Sequence, residues 1–158
     1  MRPLAESVLA ASRSRGLKIA CAESCTGGMV AAALTGIAGS SDVFDRGFVT
    51  YSNAAKREML GVSGQSLKVH GAVSEQVAIE MANGALAHSN ANLAVATTGI
   101  AGPGPSDHKP EGRVCFAIAG AGQDCQAETV EFGPIGRGKV RDAATRHALN
   151  LLKQRACS

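Results

Sequence analysis

The feature that most constrains this chain is an apolar run that ends abruptly in a glycine-rich turn. Residues 17–22 (LKIACA) predict a buried strand, residues 23–28 (ESCTGG) predict a tight turn, and residues 29–34 predict a helix. A second apolar run, residues 93–98, enters another glycine-rich segment at residues 99–105. Strands that alternate with helices in this way are typical of α/β proteins.

The other elements extend the same alternation. A helix is expected to end before Gly16, a strand covers residues 43–51, and helices cover residues 54–60, capped by Ser52 or Asn53, and 74–88. Residues 113–119 and 126–132 predict a hairpin. The final helix has an apolar stripe formed by Val140, Ala143, Ala144, His147, Ala148, Leu151 and Leu152, which favours a packed core role for His147. We therefore predict one domain over residues 1–158, a three-layer α/β/α sandwich on a mixed, mostly parallel sheet.

Composition excludes several function classes. The net charge is only +3, and the chain has no Trp and one Tyr, so it lacks the aromatic platforms of single-stranded nucleic-acid binding. No apolar stretch is long enough for a membrane span. Five cysteines without a C-x-x-C pair indicate reduced thiols and a cytoplasmic protein, and the scattered histidines argue against a metal site. We expect neither metal nor cofactor.

The first glycine-rich turn has the composition of a ligand site. Ser24 and Thr26 precede Gly27 and Gly28 at a helix start, where backbone N–H groups can approach an anion closely. The alternative is structural: Ser24 or Thr26 caps the helix and the glycines only turn the chain.

Two further strand ends carry unusual residues. Tyr51 precedes Lys56, which lies in a first helical turn, where the helix dipole helps to lower the pKa of an amine; the alternative is an ordinary exposed lysine. Thr98 and Gly99 offer a hydroxyl and an accessible backbone, without a complete dinucleotide or P-loop motif.

Four segments carry a resemblance to a known family. Residues 22–28 (AESCTGG), 47–56 (GFVTYSNAAK), 70–75 (HGAVSE) and 98–103 (TGIAGP) are similar, in the same order, to the C-terminal domain family of the competence/damage-inducible protein CinA. The resemblance implies a nicotinamide-nucleotide amidase, which converts nicotinamide mononucleotide and water to nicotinate mononucleotide and ammonia in pyridine-nucleotide recycling.

The resemblance also implies roles for individual residues. Ser24 becomes the nucleophile and Lys56 the base, which accepts the serine proton directly or through Tyr51. Donors for the developing oxyanion are expected at residues 26–28 and at the Thr98–Gly99 turn. The remaining expected substrate contacts are Asn53 and, for the phosphate, Arg137 or Arg141. Cys25 is a competing nucleophile, although a packed thiol is favoured.

Two departures from the family pattern bear on substrate fit. Gly136 stands where family members often have an acid before Arg137, and residues 105–111 replace a more glycine-rich loop. A homodimer is expected. The alternative to an enzyme is a non-catalytic nucleotide-binding or regulatory module on the same fold. The joint presence of Ser24, Tyr51 and Lys56 favours the enzyme.

Overall fold

A five-stranded sheet organises the chain. The computed structural model describes residues 1–158, with strands in the order β2-β1-β3-β4-β5. Their bounds are β1 Ile19–Glu23, β2 Phe44–Val49, β3 Leu93–Gly99, β4 Arg113–Gly120 and β5 Gln126–Glu131. The first three are parallel, and β4 runs antiparallel to both of its neighbours. Four strands thus point one way, which confirms the predicted mixed, mostly parallel sheet.

Helices cover both faces of the sheet. Their bounds are α1 Arg2–Ser14, α2 Met29–Thr35, α3 Asn53–Leu60, α4 Gly64–His70, α5 Glu75–Ala87 and α6 Arg137–Cys157, with a short 3₁₀ turn at Ser40–Asp42. The core residues of α1, α2 and α6 cluster with one face, and those of α5 cluster with the other. None of these helices combines the length and the apolar character that crossing a bilayer requires.

The two faces differ in side-chain size because alternate strand residues point to opposite sides. One face presents large residues such as Ile19, Leu93 and Phe116 to α1, α2 and α6. The α5 face is built largely from alanine, including Ala22, Ala96 and Ala117. Alanine side chains are small, so α5 can pack closely against this face of the sheet.

Most predicted elements are present, and serine caps begin two of the predicted helices. Ser52 and Ser74 accept hydrogen bonds from the amides of Ala55 and Val77 at the starts of α3 and α5. Helix α4 was not predicted. It has no buried residue, so it carries no apolar periodicity for a sequence pattern to reveal.

The prediction of which α6 residues form its apolar stripe is partly wrong. Thr145 and Leu149 are fully buried, whereas Ala143 and Leu151 are only partly buried. A polar residue can face the core here because the Thr145 hydroxyl donates to the Arg141 carbonyl at 2.8 Å. His147 packs against Phe116, with ring centroids 4.5 Å apart, and its Nε2 lies 2.6 Å from Glu128.

Candidate active site

A cavity of about 310 Å³ opens at the edge of the sheet where β1, β2 and β3 end. Loops after three parallel strands meet there, as expected for ligand sites in open α/β sheets. The predicted site residues that line it are Ser24, Tyr51, Asn53, Lys56, Thr98, Gly99 and Arg137. A larger depression at the opposite edge, between Arg15 and Arg155, has no nucleophile paired with a base.

Lys56 and Ser24 form the central contact of this cavity. The lysine is 1% exposed, and its Nζ lies 3.0 Å from Ser24 Oγ and 2.7 Å from the carbonyl oxygen of Thr50. No carboxylate pairs with it. Burial therefore lowers the pKa of Lys56 from 10.5 to about 8, since a charged amine is poorly solvated there. The sequence also predicted a lowered pKa for Lys56, on account of the helix dipole. In the structure, burial is the principal cause of the lowering.

Cys25 is packed rather than reactive. It is 5% exposed, and burial raises the pKa of its thiol to about 12. A thiol with such a pKa stays protonated at neutral pH, and the thiolate is the nucleophilic form. Ser24, unlike Cys25, has an amine within 3.0 Å of its side-chain oxygen that can accept its proton.

Glu23 caps a helix, a role that was not predicted from the sequence. Its buried carboxylate accepts from the Thr26 hydroxyl at 2.6 Å and from the amides of Val30 and Ala31 at 2.9 and 3.0 Å. The first turn of α2 is thus capped by Glu23, and neither Ser24 nor Thr26 caps it. An acid directly after a buried strand and before a helix start was the available signal.

Three residues of the first glycine-rich turn that were expected to bind substrate do not line the cavity. The Thr26 side chain turns inward to Glu23 and Thr97. Gly27 and Gly28 adopt positive φ values of 57° and 98°, which the turn requires, and they face Arg141 and Val49. The expected anion site of α2 is already filled by the protein's own carboxylate.

The backbone of the same turn nevertheless leaves donors free. Cys25 and Thr26 are buried, yet their N–H groups donate to no protein acceptor, whereas the Gly27 N–H donates to the Ser24 carbonyl. Buried amides in native proteins are nearly always paired. Of the two residues only Cys25 lines the cavity, so its free N–H, directly after Ser24, indicates a ligand oxygen as its partner.

Tyr51 lies at the rim. Its side chain is 63% exposed, and its hydroxyl accepts from Arg137 Nη2 at 2.7 Å. It makes no hydrogen bond with Ser24 or Lys56, which contact each other directly. Asn53, the first residue of α3, is exposed at the same rim.

The end of β3 forms the opposite wall. The Thr98 hydroxyl donates to the Ala72 carbonyl at 2.9 Å, so it is already engaged. A Cβ at Gly99 would lie 2.6 Å from a Val114 methyl carbon, which leaves no room for a side chain. Both residues thus shape the wall through their backbone.

The two candidate phosphate ligands are separated by the structure. Arg137 lines the cavity and donates to Gly102 O and the Tyr51 hydroxyl, both at 2.7 Å. Arg141 does not line it; its Nε and Nη2 donate to the carbonyls of Cys25 and Thr26 at 3.1 and 3.3 Å. Of the two, only Arg137 lines the cavity.

The 105–111 loop contributes the acidic group of the cavity wall. Asp107 lines the cavity and has a positive φ of 49°, a rare conformation for a non-glycine residue. Lys109 anchors the loop by donating to the carbonyls of His70 and Val73. No group of three or more potential metal ligands is present.

Comparisons with known proteins agree with this architecture. The chain is 51% identical over 153 residues to the nicotinamide-nucleotide amidohydrolase PncC of Escherichia coli strain K12, covering 96% of this chain and 92% of that protein. The protein of the same name from Enterobacter agglomerans is 56% identical over 121 residues, or 76% of this chain and 74% of that one. The crystal structure of competence/damage inducible protein CihA from Agrobacterium tumefaciens superposes with a TM-score of 0.92 at 51% identity, covering 96% and 92% of the two chains. The CinA C-terminal domain matches residues 1–156, and the chain belongs to this family.

Proposed function

We propose that this protein is a nicotinamide-nucleotide amidase that hydrolyses nicotinamide mononucleotide to nicotinate mononucleotide and ammonia. The observation that carries the proposal is the buried contact between Lys56 Nζ and Ser24 Oγ, 3.0 Å apart in the wall of an open cavity. A serine beside an amine whose pKa is lowered to about 8, so that a fraction of it is unprotonated near neutral pH, is an arrangement suited to acyl transfer. The names of the PncC relatives support the same activity.

In the first half-reaction the amide bond is exchanged for an ester. Ser24 Oγ attacks the carboxamide carbon as its proton passes directly to Lys56 Nζ. The amide oxygen becomes negative and accepts from the free N–H group of Cys25, which lines the cavity. The C–N bond then breaks, and protonated Lys56 returns its proton to the departing nitrogen, which leaves as ammonia.

The second half-reaction reverses these roles with water. Lys56, now neutral again, accepts a proton from a water molecule that attacks the ester carbon. Collapse of the second tetrahedral intermediate breaks the bond to Ser24 Oγ, which regains the proton from Lys56. The carboxylic acid product leaves, and the enzyme returns to its starting state. Tyr51 is not needed as a relay, because the Ser24–Lys56 contact is direct.

The charges around the cavity suit this substrate. Nicotinamide mononucleotide carries a positive pyridinium ring and a negative phosphate. Arg137, at the rim, is placed for the phosphate, and Asp107 is placed for the cationic ring or the ribose hydroxyls. Ile100, Ala101 and Pro103 supply apolar wall for the ring.

The test is ammonia release from nicotinamide mononucleotide by the purified protein, with product mass checked in parallel. Stoichiometric release that is absent in a Ser24→Ala variant supports the proposal. Binding of the nucleotide by calorimetry without release would instead support the nucleotide-binding module. We further propose a homodimer in solution, which light scattering of the same sample tests, and a role in pyridine-nucleotide recycling in the cytoplasm.

A further inference from the structure

Arg141 contacts the nucleophile turn from behind and not the substrate cavity. Its guanidinium donates to the carbonyls of Cys25 and Thr26, at 3.1 and 3.3 Å. Both residues are buried, and their N–H groups have no protein acceptor. The guanidinium is therefore bonded to the turn that carries both free donors.

Peptide geometry links the two observations. In a planar trans peptide the C=O and N–H groups point in opposite directions. The carbonyl of Cys25 and the N–H of Thr26 belong to one peptide, so fixing the carbonyl toward Arg141 fixes that N–H away from it. The Thr26 carbonyl, which also accepts from Arg141, shares a peptide with the Gly27 N–H, and that N–H donates to the Ser24 carbonyl at 3.0 Å. The Ser24 carbonyl shares a peptide with the Cys25 N–H, which is thereby held facing the other way.

We propose that Arg141 is a positioning residue that fixes this turn so that the Cys25 N–H is held as the oxyanion donor of the reaction. The inference rests on the proposed amidase function. Preorganised donors act on developing charge because they need no rearrangement during the reaction. Without Arg141 the Thr26–Gly27 peptide loses its side-chain anchor, so the Gly27 N–H no longer holds the Ser24 carbonyl in place and the Cys25 N–H can rotate away from the oxyanion.

Helix α6 supplies this anchor through the spacing of its arginines. Arg137 and Arg141 are four residues apart on one side of the helix. The first contacts the cavity rim at Tyr51 and Gly102, and the second contacts the turn after β1. One helical turn thus separates a substrate-facing arginine from a backbone-facing one.

The test compares Arg141→Ala and Arg141→Lys with Arg146→Ala, a control at an exposed arginine of the same helix. With nicotinamide mononucleotide as substrate, we expect the alanine variant to lose about 100-fold in kcat with little change in KM. The lysine variant can reach only one carbonyl at a time and should lose about tenfold. The control should match the wild type.

A second readout separates positioning from general damage. Pyridine-3-boronic acid should add Ser24 Oγ to its trigonal boron as the serine proton passes to Lys56, and the resulting tetrahedral boronate should place a hydroxyl oxygen where the oxyanion would lie. Boron NMR and calorimetry should show loss of this adduct in Arg141→Ala, while affinity for nicotinate mononucleotide is kept. The acidic limb of kcat/KM should stay near that of the wild type, because the surroundings of Lys56 are unchanged.

Two outcomes overturn the inference. One is wild-type boronate affinity and turnover in both Arg141 variants. The other is equal loss of boronate and nicotinate mononucleotide affinity with a lowered melting temperature in Arg141→Lys, which indicates a structural role. If the wild type binds boronate at Ser24 but releases no ammonia, the proposed function fails, and the boronate comparison still decides the role of Arg141.

Discussion

Lys56 Nζ lies 3.0 Å from Ser24 Oγ, although 32 positions separate the two residues in the chain. Ser24 follows β1 and Lys56 is in the helix after β2, and these strands are parallel neighbours. The partners of the buried amine are a hydroxyl and the carbonyl of Thr50, with no carboxylate among them. Because no ion pair offsets burial, the amine is biased toward its neutral form, and this makes it a base.

Replacing Ser24 by Ala should abolish turnover. The variant lacks the only atom that can form the ester, while the cavity keeps its shape, so affinity for nicotinamide mononucleotide should stay near that of the wild type. Steady-state kinetics and calorimetry measure the two quantities. Cys25→Ala is the matched control and should remain active, since the thiol is packed and protonated. An inactive Cys25→Ala beside an active Ser24→Ala would reverse the choice of nucleophile.

The pH profile of kcat/KM should have an acidic limb set by Lys56. Only the unprotonated amine can accept the serine proton, so activity should rise with pH and level off above about 8, where burial places the pKa of Lys56. Lys56→Arg should remove the limb together with the activity, because arginine stays protonated. A wild-type profile that is flat from acid to alkaline pH would identify another base.

Lys56 should also destabilise the folded protein near neutral pH. The fall of its pKa from 10.5 to about 8 corresponds to about 3 kcal/mol, present in full below the folded pKa and lost as pH rises from about 8 through 10.5. In Lys56→Met, lost hydrogen bonds offset about 1 kcal/mol of the gain. We expect the variant to be about 2 kcal/mol more stable near neutral pH in urea unfolding, with no advantage in strong alkali. An advantage independent of pH would contradict this account.

Arg137→Ala should weaken binding of the nucleotide without slowing the chemical step. A charge-assisted contact to phosphate is worth about 1.5–3 kcal/mol, so KM should rise about tenfold or more while kcat is kept. Nicotinamide riboside, which lacks the phosphate, should be unaffected. Lys139→Ala, an exposed cation in the same helical turn, is the control. Equal effects on both substrates would place the phosphate elsewhere.

Asp107→Asn should lower kcat/KM for a substrate with a charged ring and leave it unchanged for one with a neutral ring. If the carboxylate faces the pyridinium, the variant should lose a few-fold in kcat/KM for nicotinamide mononucleotide, and the loss should shrink at high salt because the pair is exposed. The benzamide analogue of the nucleotide, whose ring is uncharged, should show no loss. Glu111→Gln in the same loop is the control. A similar loss with both rings would assign Asp107 to loop conformation.

Local patterns accounted for most of the fold. Strand and helix periods, the serine caps of α3 and α5, and the turns after β1 and β3 are short-range features, and the structure contains them where they were predicted. Helix α4 was missed because it buries nothing, and the stripe of α6 was misplaced because Thr145 satisfies its hydroxyl within the helix. In both helices, whether a residue is buried does not follow from whether it is polar or apolar.

The sequence by itself determined which residues could do chemistry, because a motif records residue types and their spacing along one loop. Only the tertiary structure decided which way those residues point. It turned Thr26 inward to Glu23, set Arg141 behind the turn, placed Arg137 at the rim, and brought Lys56 to Ser24. The direction of a loop side chain depends on partners supplied by distant segments, and the packing of the sheet and α6 determines which partners are within reach.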